Sequence, residues 1–218
     1  MALTAGDLQT QLAYRLGETS APSDSTTKAV RLEWLNLGSF DVARRRNWFW
    51  QETTDTANTN TGSTTGYTEP TGLKEFIELK ISDIYYDQIP YKKNRVYQGV
   101  SAVVQLPTVN LSYKFYRFGG KYYLLPIDGN DAAIHYIKYY KRVTKATDDS
   151  STFLIPDEYL ESIVAFAEAR YWMSITQQVK ASAPMQEFEQ IIAQMSKEQN
   201  MRGEGWNQFG IREPEEQF

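Results

Sequence analysis

The chain has no cysteine in 218 residues. That absence removes disulfides, thiolate zinc sites and cysteine nucleophiles together, and it fits synthesis in a reducing cytosol. Histidine is almost missing as well: His135 stands alone, and one imidazole without a thiol cannot assemble a common zinc site. A Ser–His–Asp arrangement would have to be built around that one residue, and no G-x-S-x-G elbow is present. His135 is therefore expected to be structural, and no catalytic residue, cofactor or metal ligand is expected. The glycine-containing TGSTTG lacks the lysine of a phosphate-binding loop and reads as an ordinary loop. No apolar run approaches the roughly 20 residues of a membrane span. The opening MALTAGDLQTQLAYRLGE has no basic start followed by an apolar stretch, so no secretion signal and no membrane association are expected. Basic surplus is lacking too. The net charge is −4, which makes the chain a poor candidate for wrapping nucleic acid, because affinity for phosphate comes mainly from Lys and Arg. There is no internal repeat.

What is present is enough for a real core: 41% hydrophobic and 14% aromatic residues, in a length that suits one large domain or two small ones. Leu8, Leu12 and Leu16 recur every four residues, Thr4 and Asp7 have capping-box spacing, and Gly17 is a natural stop. A short helix over 4–16 follows. A second helix is expected over about 26–47. Its apolar residues Val30, Leu32, Trp34, Leu35, Leu37, Phe40 and Val42 are not confined to one stripe, so it is expected to be covered on more than one side. It ends in ARRRNWFW. Arg44, Arg45 and Arg46 oppose the negative end of the helix dipole; with Trp48, Phe49 and Trp50 they also offer a nucleic-acid patch, against which the acidic total weighs.

The Thr/Asn/Gly segment 53–72 has no periodicity and reads as extended chain or loop. From Lys74 the pattern turns strand-like. FIELKISDIYY, LSYKFYRF, KYYLLPI and AAIHYIKYYKRV are rich in Tyr, Ile and Phe. Gly119-Gly120 gives a tight hairpin, PIDGNDA the next turn, and NRVYQGVSAVV a short helix or irregular crossing. An antiparallel meander is expected here. In LIPDEYLESIVAFAEARYWMSI, Pro156 suits a first helical position, and Asp157 and Glu158 suit the first turn. Leu160, Ile163, Val164 and Tyr171 then line one face, while Ala165 and Ala169 fall among small residues on the other. These six are the expected subunit-packing residues, on a helix built to sit between partners. Pro184 is expected to start the last helix. After Gly203 regularity is expected to stop, leaving Trp206, Phe209, Ile211 and Phe218 between glycines and a proline. Such residues either fold back or dock into another protein. The carboxylate pairs Asp148/Asp149 and Asp157/Glu158 have turn and capping explanations, with glycoside hydrolysis as the alternative. The aromatic β segment offers the alternative of glycan binding.

The expected fold is thus α+β: mainly a helical bundle of four main helices (1–50 and 151–202), with an antiparallel β-meander insertion (66–146) and an extended C-terminal tail (203–218).

The order of these segments resembles the head-to-tail adaptor (connector) proteins of tailed bacteriophages, which sit beneath the portal. The resemblance is carried by YRLG, WLNLGSFDVARRRNWFW, YKFYRFGGKYYLLPIDGNDAAIHYIKYYKRV and IPDEYLESIVAFAEARYWM, in that order. Its most specific pieces are Tyr122 to Pro126 and Pro156 to Tyr159. The aromatic β insertion looks like that of the larger members. The resemblance implies a structural virion protein of the neck, in a homo-oligomeric ring of about twelve copies with closed symmetry. One face of that ring meets the portal and the other a stopper or tail protein. DNA passes through the lumen during ejection without specific binding, which an acidic chain suits. It further implies that the C-terminal segment engages the portal, here Gly203 to Phe218 with Trp206, Phe209, Ile211 and Phe218. No catalytic residue is implied.

Overall fold

The computed structural model describes residues 2–63, 65–90, 113–125 and 132–208. They form two compact units: Met1–Trp50 with Val143–Phe218, and Gln51–Arg142.

The first unit holds four helices: α1 (Ala5–Arg15), α2 (Ser25–Arg45), α3 (Leu160–Ser174) and α4 (Gln178–Gln208). The capping box forms: Thr4 Oγ1 accepts from the Asp7 N–H at 3.3 Å, and the Asp7 carboxylate accepts from the Thr4 N–H at 2.8 Å. Asp24 caps α2 by accepting from the Thr27 N–H at 2.7 Å. Pro156 lies just outside a 3₁₀ turn, Asp157–Tyr159, that leads into α3. The last helix starts earlier than its proline implies, because Pro184 lies inside α4, one and a half turns or so after Gln178. The proline forgoes one backbone bond there, and burial of the residue offsets part of that loss. The core gathers Leu8, Leu12, Leu35, Val42, Trp48, Ile163, Val164 and Phe188, all fully buried.

The described residues of the second unit form one seven-stranded sheet: β1 (Glu52–Asp55), β2 (Tyr67–Thr68), β3 (Leu73–Ile81), β4 (Ile84–Gln88), β5 (Lys114–Phe118), β6 (Lys121–Leu125) and β7 (His135–Lys141). Its order is β1-β7-β3-β4-β5-β6-β2. This corrects the expectation of a meander inserted in a mainly helical fold. The fold is α+β, but its β part is large, opens at Glu52 rather than at residue 66, and is not built from sequential hairpins alone. β1 falls in the segment read as loop and pairs with β7, from Glu52 opposite Tyr140 to Asp55 opposite Ile137. A Thr-rich four-residue strand has no apolar alternation of its own; its pairing comes from a partner more than eighty residues away. β4 and β5 pair in parallel, which requires a crossover that no meander contains. The expected crossing NRVYQGVSAVV and most of the turn at Pro126 to Ala132 lie outside the described residues.

β5 and β6 form the expected hairpin. Gly119 and Gly120 have φ of +60° and +74°, the left-handed pair that a two-residue turn demands. Phe76, Leu79, Phe115, Tyr122, Leu124 and Ile137 lie in the buried core of the sheet. Tyr122 and Leu124 follow the period of two, while a register shift between Phe76 and Glu78 lets Phe76 and Leu79 share it three residues apart.

Candidate functional site

The helical unit is organised around α3, which packs against α1, α2 and α4. Of the six residues expected to pack the subunit, Leu160, Ile163, Val164, Ala165 and Ala169 are buried in this core. Tyr171 is half-buried at its rim, its ring 6.2 Å from Trp34 and 5.0 Å from Trp172. At the α2–α3 crossing, a methyl group on Gly38 would lie 3.2 Å from Phe166 and 3.3 Å from the Ile163 backbone.

Sequence reasoning overlooked the polar joints. Arg15, in the last turn of α1, donates to Glu161 on α3 at 2.7 Å, to Glu168 on α3 at 3.2 Å, and to Glu187 on α4 at 2.8 and 2.6 Å. Its guanidinium, bonded first to Glu187, holds that carboxyl below its usual range and is itself held more firmly protonated. One cation against three carboxylates leaves this joint negative. Arg31, almost wholly buried, forms a two-pronged pair with Glu18 at 2.8 and 2.5 Å, which keeps the Glu18 carboxyl low. Asn36 is fully buried. It donates to the Ala146 carbonyl at 3.0 Å and accepts from the Ala146 N–H at 2.8 Å. An asparagine inside WLNLG was the available signal: a polar side chain in an apolar stretch must find partners.

The arginine run is largely occupied within the chain. Arg45 clamps Glu189 at 2.6 and 2.7 Å, bonds Asp41 at 2.9 Å, and lies over the Phe188 ring at 5.0 Å. Arg46 reaches Asn200 at 3.2 Å and lies over Trp48 at 5.4 Å. Trp48 is fully buried and donates its indole N–H to the Val42 carbonyl at 2.7 Å. Arg44 is the exposed member, paired with Asp41 one turn back. The geometry therefore pins the end of α2 to α4.

At the C-terminus, α4 runs on through Gly203 to Gln208, where regularity was expected to stop. The nucleus of a long helix is already formed upstream, so each added residue costs little, and a glycine costs only about 1 kcal/mol. Trp206 thus stands on helical backbone. Phe209, Ile211 and Phe218 lie outside the described residues. Upstream, Gln199 donates to the Asn47 carbonyl at 2.7 Å, and the phenol of Tyr159 donates to Glu198.

The groups weighed for chemistry are dispersed. His135 is fully buried, with its Nδ1 2.6 Å from the Tyr122 hydroxyl and its ring 4.4 Å from that of Tyr67. Burial pushes the Tyr122 phenol up, so the phenol keeps its proton; the imidazole tautomer sets which partner donates in its bond to Nδ1. Asp148 accepts from Ser150 and Ser151 within its turn, which lowers its carboxyl. Asp149 accepts from Gln9 at 2.9 Å and pairs with Lys28 at 3.0 Å. Asp157 and Glu158 are exposed at the start of the 3₁₀ turn before α3. Among the described residues no group of three or more His, Cys, Asp or Glu side chains is placed to hold a metal ion, and no helix is long and apolar enough to cross a membrane.

The helical unit is thus bound together by interhelical ion pairs, and the polar groups described here are engaged in joints within their own units. The family of SU10 adaptor proteins matches residues 3–208, and the chain belongs to it. The role is that of a phage adaptor, a structural part of the virion that contacts other head or tail components. A comparison with curated proteins returns no match.

Proposed function

We propose that the chain is the head-to-tail adaptor of its phage. About twelve copies close into a ring between the portal and a stopper or tail protein, and DNA passes through the middle. The family match over nearly the whole chain carries this reading. The net charge of −4 and the engagement of Arg45 and Arg46 inside the chain support a lumen that does not hold DNA.

Residues 203–218 are the portal-docking tail, with Trp206, Phe209, Ile211 and Phe218 as its apolar anchors. Any backbone that docking newly fixes costs roughly 1–2 kcal/mol per residue in entropy. Each buried anchor returns about 1.5–3 kcal/mol, so docking must cover the anchors deeply. Truncation after Arg202 is the test. The shortened chain is expected to melt within a few degrees of the full chain yet fail to join portal-containing heads. Completion of heads at the normal rate, or unfolding of the truncated chain, contradicts the docking role.

A further inference from the structure

We propose that neighbouring copies meet through two different flanks of the helical unit, the α2 flank of one seated on the Tyr14 flank of the next. This rests on the ring reading above and adds which surfaces close the ring.

The sequence makes α2 apolar on more than one side, and the structure covers only part of it. Val30, Leu37 and Phe40 recur over three turns on its outward side, with Val30 42% and Phe40 36% exposed, and Arg44 continues the stripe. Beside it, Phe166 of α3 lies against Gly38. One turn further on Arg170 is exposed, followed by Met173, 42% exposed. This flank is largely apolar, with Arg170 outward; Arg44 is paired with Asp41, and Glu33, on the same face as Val30 and Leu37, is paired with Lys145.

The second flank has the opposite character. Tyr14 is 61% exposed. It borders a concavity also lined by Leu3, Gln11, Asp157, Glu158 and Glu161. Arg15 adds no free positive charge there, since three carboxylates already hold it. Glu161 and Arg170 are nine residues apart on α3, about two and a half helical turns, so they face opposite sides. α2 sits on the Arg170 side and α1 on the Glu161 side. Two complementary patches on opposite flanks cannot satisfy each other within one chain, and a contact of that kind propagates from copy to copy until it closes. Charge of opposite sign then fixes register and rejects like-to-like pairing.

The absence of native cysteine makes thiol cross-linking a direct test. Phe40→Cys and Tyr14→Cys are introduced singly and together in the full chain, and a short bismaleimide is added after assembly on purified portal. The double variant is expected to give a ladder extending well beyond the dimer, and each single variant only monomer. In parallel, R44E/R170E is expected to lower assembly about tenfold or more, and mixing it with a D157K/E158K chain to restore assembly, with melting curves showing that both variants fold. Dimers from the Phe40→Cys chain alone would mean that the flank meets itself. Cross-links to portal would name another occupant. A ring of normal mass without double-variant cross-links would show that other surfaces close it. Each of these overturns the assignment while leaving the ring intact. A chain that stays monomeric throughout overturns the ring reading and this inference with it.

Discussion

Asn36 shows how much a single polar residue can carry in this chain. Its amide satisfies both backbone groups of Ala146 across the helical unit, away from water. Replacing it with Ala leaves a buried N–H and a buried C=O unmatched, at a cost of about 2–4 kcal/mol. Urea unfolding of Asn36→Ala is expected to show a clearly lowered midpoint with an unchanged slope; a change below about 0.5 kcal/mol, the range of an ordinary surface substitution, would mean that water replaces the side chain. His135 teaches a related lesson. The sequence marked it as a lone histidine in a strand, and the structure spends it on a buried bond to Tyr122.

Among the elements, the α2–α3 crossing is a tight joint with a glycine in it. Gly38→Ala gains about 0.5–1 kcal/mol of helix propensity and must push Phe166 and Ile163 by a few tenths of an ångström. Its net change is expected to stay within about 1 kcal/mol. Gly38→Leu has no such room and is expected to lose about 1–3 kcal/mol or more, read as a lower thermal midpoint; equal stability of the two variants would mean that the helices do not cross there. The helices were legible because caps and periodicity are local: Thr4 with Asp7, and Leu160, Ile163 and Val164. The sheet was legible in composition but not in topology. Its edge strand ETTD and its parallel pairing of Asp87 with Lys114 depend on partners far along the chain, which no local pattern encodes. The ion-pair joints at Arg15 and Arg31 escaped for the same reason. Even the end of the last helix was misjudged, because Gly203 and Gly205 are stops only where nothing upstream sustains the helix.

For the whole molecule, the sheet unit is a continuous stretch between two parts of the helical unit. Its first and last strands pair, and Gln51 donates to the Lys141 carbonyl at 3.2 Å, so the chain enters and leaves this unit at neighbouring points. Replacing Gln51–Arg142 with a few glycines is therefore expected to leave a helical remnant that melts cooperatively, measured by far-ultraviolet circular dichroism. Loss of all helical signal would show that the helices depend on the sheet. The central claim concerns assembly, and the mass of the complex tests it most directly. Purified chain is measured by light scattering alone and after addition of portal rings, with the bound complex weighed by native mass spectrometry. A ring adaptor is expected to add a fixed, closed number of copies, about twelve, to each portal ring. Monomers that leave the portal mass unchanged, or an open series of copies with no preferred number, would contradict it.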